Sequence, residues 1–264
     1  MHPITIAHIS DIHYNPGDTS PVARLLAGKQ VLVETLLPAC LKILQERNPD
    51  ILLISGDLTH ENDHHAYQYI RAQIRAFLPD TPILCAMGNH DIRHAFRQGF
   101  LEETPSDEPY FASCVVQGCL FIALDSSSED PLAGFLTEQA MDYLAEQLKA
   151  HPDLPTFLLM HHPVLRAAKH LGFVMNDRFA RILGSGKITA LFNGHVHGCY
   201  AASVCGVPQF TAESLKTDFD LLPDRISYHD QSGFQIISFD EQGDWVSQRF
   251  IQHPKTEIYF EKSF

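Results

Sequence analysis

The sequence lacks several features that would assign a protein to a class at once. Its 264 residues carry 19 lysines and arginines against 32 aspartates and glutamates, so the formal net charge of −13 argues against a broad nucleic-acid interface. No apolar run reaches the roughly 18 residues that a membrane span needs. The opening residues MHPITIAHISD show no basic region followed by an apolar stretch and a cleavage site. We therefore expect no signal peptide and a cytoplasmic protein.

Cysteine motifs are missing as well. None of the six cysteines forms a Cys-x-x-Cys pair, and several lie in apolar strand-like runs such as ILCAM, so we expect reduced, buried thiols. Cys114 with Cys119, and Cys199 with Cys205, leave a hairpin disulfide open. Histidine, in contrast, is abundant at 16 residues. Because histidine is the commonest metal ligand, the placement of these residues decides what they indicate.

Apolar runs alternate with helical stretches through the first two-thirds of the chain. This alternation predicts an α/β fold with a largely parallel sheet and covering helices, in a single domain over residues 1–264. Apolar residues at helical spacing predict one long helix over residues 22–45, and Thr137 is expected to cap another helix. The predicted buried strands are ITIAHIS (4–10), ILLIS (51–55), ILCAM (83–87), TFLLM (156–160) and ITALFN (188–193).

Each of these five strands is followed directly by residues that can bind a metal. They are Asp11 and His13, then Asp57, then Asn89, His90 and Asp91, then His161 and His162, and finally His195 and His197. In open α/β sheets the ligand crevice lies beyond the carboxyl ends of the strands, so these side chains are expected to converge. One such motif alone is weak evidence, but five in order are strong evidence for a single site.

The order D-x-H, G-D, G-N-H-D, H, G-H-x-H between Asp11 and His197 resembles the calcineurin-like metallophosphoesterase superfamily. The opening AHISDIH is most similar to the bacterial class III cyclic-nucleotide phosphodiesterases. This resemblance implies a four-layer α/β/β/α sandwich of two mixed sheets. It also implies a cofactor of two divalent or mixed-valence metal ions. Imidazole, carboxylate and amide ligands together suit manganese, iron or zinc.

The resemblance also implies which residues bind these metals. Asp57 would bridge the two ions, because a charged ligand with two oxygens can serve two dications. The glycines that precede the motifs are expected to bring the backbone close to the metals. One ion would be held by Asp11, His13 and His197, and the other by Asn89, His161 and His195.

A two-metal hydrolysis follows from such a centre. A hydroxide that bridges the metals would attack phosphorus in line, while the metals neutralise charge on the phosphoryl oxygens. The resemblance implies that His90 contacts the phosphate or protonates the leaving oxygen, and that Asp91 or another carboxylate orients it. A helix N-cap is an equally open interpretation of Asp91.

The expected substrate is a small phosphoester, first of all a phosphodiester such as a cyclic nucleotide. A phosphomonoesterase and a nucleotide-lipid pyrophosphatase of the same superfamily are the alternatives. A non-catalytic scaffold with this fold is the alternative of another class, although every ligand position is filled here. The oligomeric state stays open, and a homodimer is compatible with the sequence.

The remaining histidines have simpler interpretations. His8 lies inside a strand and is expected to be a core residue with satisfied hydrogen bonds. His162 is expected beside the site without binding a metal. For His60, His64 and His65, a solvated helix start is favoured over a place in the substrate cleft.

The chain after His197 is rich in strand patterns and is expected to complete the second sheet. Its segment SGFQIISF (232–239) should be buried on one or both faces. The polar stretch Asp218–Asp230 is interpreted as a loop that reaches the cleft mouth and contacts the substrate beyond its phosphate, and a surface loop or a subunit contact is an equally open alternative.

Overall fold

The computed structural model describes residues 1–127, 133–164, 172–222 and 224–263. Its helices are α1 (Pro21–Gly28), α2 (Val33–Arg47), α3 (His64–Phe77), α4 (Arg93–Phe96), which runs into a π-helical turn (Arg97–Leu101), α5 (Glu138–Ala150) and α6 (Asp177–Leu183). Its strands are β1 (Ile4–Ile9), β2 (Ile51–Ile54), β3 (Ile83–Cys85), β4 (Phe111–Val116), β5 (Cys119–Leu124), β6 (Ala133–Gly134), β7 (Thr156–Leu159), β8 (Gly172–Phe173), β9 (Ile188–Asn193), β10 (Tyr200–Val204), β11 (Val207–Thr211), β12 (Asp218–Leu221), β13 (Arg225–His229), β14 (Ser232–Phe239), β15 (Trp245–His253) and β16 (Ile258–Ser263).

Two mixed sheets form the centre of the fold. The first has the strand order β15-β14-β1-β2-β3, in which β1, β2 and β3 are parallel and β14 and β15 are antiparallel to their neighbours. The second has the order β10-β11-β9-β7-β5-β4, with β11, β9, β7 and β5 parallel. The five strands predicted to end in site residues are β1, β2, β3, β7 and β9. All five lie in the parallel parts of the two sheets.

Apolar side chains fill three interfaces. Between the sheets, Ile6 and Leu53 from the first pack with Phe121, Phe157 and Phe192 from the second, all buried. The outer face of the first sheet is covered by α2 and α3, and that of the second by α5 and α6. Burying such side chains contributes about 1.5–3 kcal/mol each. The predicted α/β/β/α sandwich of two mixed sheets is confirmed.

The single helix predicted over residues 22–45 is wrong, since two helices occupy that range. Ser20 caps α1 through its hydroxyl, which accepts a hydrogen bond from the Ala23 amide. The helix ends at Gly28, and Gln30 adopts a left-handed backbone (φ 61°) that no helix can contain. Apolar residues recur on both sides of this break because Leu26 of α1 packs with Leu36 of α2 in one small cluster. The predicted cap at Thr137 is confirmed by its bond from the Ala140 amide.

The tail does more than complete the second sheet, so that prediction was too narrow. Strands β10 and β11 do extend the second sheet, but β14 and β15 extend the first, and β12, β13 and β16 form a separate antiparallel sheet. As expected, β14 is buried on both faces, except at Ser238. The range 218–230 is not a loop: it contains the β12–β13 hairpin. Within the described residues, no helix is long and apolar enough to cross a membrane.

Candidate metal centre

The loops that follow the strands turn sharply at the predicted ligands. Left-handed backbone is uncommon for residues other than glycine, and it persists only where the surrounding structure enforces it. Here it is shared by five of the seven predicted ligands. They are Asp11 (φ 50°), His13 (φ 46°), Asp57 (φ 51°), His195 (φ 68°) and His197 (φ 46°). This concentration of strained backbone at one place indicates a functional site.

Neighbouring loops hold this backbone by hydrogen bonds. The Asp11 amide donates to the Gly56 carbonyl at 3.0 Å, and the His13 amide donates to the Asp57 carbonyl at 2.9 Å. The carboxylate of Asp11 also accepts from the His195 amide, at 3.1 and 3.2 Å. Hydrogen bonds therefore connect the loops after β1, β2 and β9 to one another.

Three of the predicted ligands form a first cluster. His13 Nε2 and His197 Nε2 lie 3.0 Å apart, and His197 Nε2 lies 3.2 Å from Asp11 Oδ1. His197 Nδ1 donates to the Thr217 carbonyl at 2.6 Å, which directs Nε2 into the cluster. These three residues offer one ligand atom each within 4.8 Å of one another, as a bound metal ion requires.

A second cluster lies beside the first. Asn89 Oδ1 is 3.1 Å from His161 Nε2 and 3.0 Å from His195 Nδ1. His161 Nδ1 donates to the Ser55 carbonyl at 2.7 Å, so that its Nε2 faces the cluster. The structure thus brings together the other three ligands predicted for one ion.

Asp57 lies between the two clusters. Its Oδ2 is 3.5 Å from His13 Nε2 in the first and 3.3 Å from His161 Nε2 in the second. Burial acts to raise the pKa of Asp57, but His161 and His13 hold that pKa well below its usual range. Burial likewise acts to lower the pKa of His161, yet Asp57 raises it to about 9. The buried carboxylates therefore favour positive charge here, which fits a cation site.

Two glycines allow these loops to approach each other. A Cβ on Gly88 would lie 2.0 Å from Asp57 Oδ1 and 2.4 Å from the Asp57 backbone nitrogen. A Cβ on Gly194 would lie 2.0 Å from Ser10 Oγ and 2.5 Å from Asp11 Oδ2. Neither position has room for a side chain, as expected for residues that let backbone pack against ligands.

His90 lies at the edge of the two clusters. Its amide donates to Asp57 Oδ1 at 2.9 Å, its ring centroid lies 5.2 Å from that of His13, and its side chain is 29% exposed. The ring stacks on His60 at 4.3 Å, and Nδ1 lies 3.5 Å from Glu61 Oε1. The imidazole is therefore close to the centre, accessible to a substrate, and next to a carboxylate.

Asp91 does not orient His90, and this expectation is corrected. Its Oδ1 accepts from the Leu58 amide at 3.0 Å and the Tyr67 hydroxyl at 2.9 Å, and its Oδ2 accepts from the Gly88 amide at 2.9 Å. Burial and the charge of Asp57 raise the pKa of Asp91 to about 7. Nor is Asp91 the N-cap of α4, which is Ile92. Its carboxyl instead joins the loops after β2 and β3.

The comparisons with known proteins agree with this geometry. Residues 4–199 match the family model of the calcineurin-like phosphoesterases. The chain belongs to this family. The predicted metallophosphoesterase is thereby confirmed, and the family's dependence on two metal ions fits the paired clusters.

Named relatives and solved structures extend this result. The phosphoesterase is 28% identical to a cAMP/cGMP dual specificity phosphodiesterase of Mycobacterium tuberculosis, over 82% of this chain and 69% of the relative. It is also 28% identical to the glycerophosphodiester phosphodiesterase GpdQ of Enterobacter lignolyticus, over 96% and 98% of the two chains. A dimetal phosphatase from Danio rerio superposes with a TM-score of 0.58 at 16% identity, covering 87% of this chain and 96% of that one, which shows the shared fold.

Three other histidines, His8, His162 and His60, have defined surroundings in or near the site. His8 is fully buried and bonded to Ser55 Oγ and Gln235 Nε2, as expected of a core residue. His162 lies beside His195 and shares a hydrogen bond with Ser126 Oγ. His60 lies beside the site and not at the start of a helix, since its ring contacts both His13 and His90.

Sequence reasoning also missed contacts from the chain after His197. Thr217 holds His197 through its carbonyl, and Phe219 of β12 stacks on the His197 ring with centroids 4.6 Å apart. Lys216 donates to the carbonyl of His13 at 3.4 Å. The predicted segment, residues 218–230, contains only Phe219 of these three, since Lys216 and Thr217 precede it. No motif in the sequence marks these three residues.

Proposed function

We propose that this phosphoesterase hydrolyses a small phosphodiester with two transition-metal ions in the paired clusters. The observation that carries the proposal is the position of Asp57 Oδ2, within 3.5 Å of a ligand nitrogen in each cluster. The two relatives described above support the diester, since both are named as phosphodiesterases. Cyclic nucleotides and glycerophosphodiesters are accordingly the substrate classes to test first.

The donor set fits such ions. The proposed assignment gives one ion to Asp11, His13 and His197, the other to Asn89, His161 and His195, and Asp57 to both. Four imidazoles, two carboxylates and one amide oxygen suit manganese, iron or zinc. When bound, two such cations lower the pKa of water and neutralise charge that develops on phosphoryl oxygens.

His90 is proposed to donate a proton to the leaving oxygen. Its accessible ring lies beside the clusters, and Glu61 Oε1 lies 3.5 Å from Nδ1. Nε2 is then the atom that faces the substrate and gives up the proton. The backbone amide of His90 on Asp57 Oδ1 fixes this ring relative to the bridging carboxylate.

One pair of chromogenic esters tests the diester proposal. Purified protein with measured metal content is given bis-p-nitrophenyl phosphate or p-nitrophenyl phosphate, which share a leaving group. We expect about two metal ions per chain and a higher kcat/KM for the diester. A higher kcat/KM for the monoester would favour the phosphomonoesterase instead. Hydrolysis of 3′,5′-cyclic AMP against glycerophosphodiesters then separates the two substrate classes.

We also propose that residues 1–264 form one domain. Strand β1 near the start of the chain pairs with β14 near its end, with Ile6 opposite Ile237. The tail therefore completes the sheet that carries Asp11 and Asp57. Limited proteolysis should give no stable fragment that ends before β14.

A further inference from the structure

Lys216 lies next to the proposed metal centre without belonging to it. The residue that follows it, Thr217, accepts the hydrogen bond from His197, and the ammonium of Lys216 donates to the carbonyl of His13 at 3.4 Å. The Lys216 side chain is 20% exposed. The Lys216 ammonium thus contacts the backbone of His13, a proposed ligand. Lys216 also adjoins Thr217, whose carbonyl orients His197, another proposed ligand.

The ammonium of Lys216 has few partners for a group this buried. An ammonium carries three donors. Among the described residues, its hydrogen bond to His13 is long, and its ion pair with Asp18 Oδ2 spans 3.7 Å. A partly buried charge is costly unless its donors are satisfied. The remaining donors are therefore suited to an oxygen-bearing ligand.

A cavity adjoins this ammonium. Its volume is about 140 Å³, and most of the residues that line it are apolar, with Lys216, Asp18, Glu34 and Asn15 as polar members and His13 at one side. Since water occupies about 30 Å³ per molecule, the cavity holds roughly five waters, which corresponds to a group of five or six heavy atoms. A compact alcohol such as glycerol has about this size, and a nucleoside is several times larger.

The charges of the lining define the ligand further. A second anionic group would be repelled by Asp18 and Glu34, whereas a hydroxyl can donate to a carboxylate and accept from Lys216. We propose that Lys216 is a specificity-determining residue that binds the hydroxyls of a compact, uncharged alcohol esterified to the phosphate. This inference rests on the proposed phosphoesterase site and names the alcohol that it prefers.

Product-like inhibitors test this preference, since each contains a single alcohol. sn-Glycerol 3-phosphate and n-propyl phosphate differ only in two hydroxyls, and adenosine 5′-monophosphate presents a hydroxylated but larger alcohol. Inhibition constants are measured against bis-p-nitrophenyl phosphate for the wild type, Lys216→Met and Lys216→Arg. Lys149→Met makes the same change at an exposed residue of α5, on the far side of the second sheet. Metal content and thermal unfolding are measured for every variant.

We expect the wild type to bind glycerol phosphate about tenfold more tightly than propyl phosphate, in keeping with hydrogen bonds to a charged group. Lys216→Met should reduce this ratio to about one, Lys216→Arg should retain part of it, and Lys149→Met all of it. Equal inhibition constants in the wild type, or an unchanged ratio in Lys216→Met, would overturn the inference about Lys216 but not the proposed function. So would an equal weakening of both ligands, or adenosine monophosphate binding as tightly as glycerol phosphate. Absence of any diester hydrolysis would instead count against the proposed function.

Discussion

Replacing Gly88 with alanine tests whether close loop approach sets the geometry of the centre. The added Cβ would lie 2.0 Å from Asp57 Oδ1 and 2.4 Å from the Asp57 backbone nitrogen. A side-chain rotation could relieve the first contact but not the second, because that atom belongs to the backbone. The loops after β2 and β3 must therefore separate by about 1 Å to reach van der Waals distance.

The magnitude follows from this displacement. Overpacking of a well-packed site costs about 1–3 kcal/mol, so we expect the unfolding free energy of Gly88→Ala to fall by that amount. A misplacement of about 1 Å at reacting groups costs on the order of 10²-fold in rate. We therefore expect kcat/KM for bis-p-nitrophenyl phosphate to fall about 100-fold, with less than two metal ions retained per chain.

Gly28→Ala is the matched control. Gly28 is the last residue of α1, and a Cβ there meets nothing within 4 Å. Alanine favours helix over glycine by up to about 1 kcal/mol, so this variant should be as stable as the wild type or slightly more stable. Urea unfolding, elemental analysis and turnover are measured on both variants. If Gly88→Ala keeps full metal content and turns over at the wild-type rate, the close-approach argument is wrong.

Three further predictions concern named side chains. Asp57→Asn should lose metal from both clusters and nearly all activity, because a neutral amide cannot bridge two cations; two retained metals with normal turnover would contradict the bridging assignment. His90→Ala should keep both metals and lose on the order of 10²–10⁴ in rate, with a smaller loss for good leaving groups, and Glu61→Gln should show the same dependence more weakly. An equal loss for good and poor leaving groups would exclude the acid role. Phe219→Ala should weaken metal retention through His197, as measured by chelator titration, whereas Phe219→Tyr should preserve it.

The part of the fold that the sequence predicts best is the part where local pattern and burial agree. The runs before Asp11 and Asp57 are buried on both faces as parallel strands, so they read as continuous apolar segments with abrupt polar ends. Parallel strands also end at one edge, which is why residues as distant along the chain as His13 and His197 could be predicted to meet.

Other contacts depend on the paths of loops, which the periodic pattern of apolar residues does not predict. The carboxylate beside His90 is Glu61, while Asp91, its neighbour in sequence, turns to the amides of the adjacent loops. The break between α1 and α2 depends on a single left-handed residue, Gln30. The stretch from Asp218 has the polar composition of a loop but pairs as a hairpin, since its alternate residues pack on Val196.

The proposed metal ligands and the proposed specificity residue Lys216 lie on different parts of the chain. The family match covers residues 4–199 and includes all seven proposed ligands. Lys216 and Thr217, which contact His13 and His197, come later, and they return to the centre because β11 runs parallel to β9 and Ser214 then bridges to Ser10. Residues after the match can therefore change without removing a ligand. We therefore propose that substitution of Lys216 changes the choice among phosphodiesters while all seven proposed ligands stay in place.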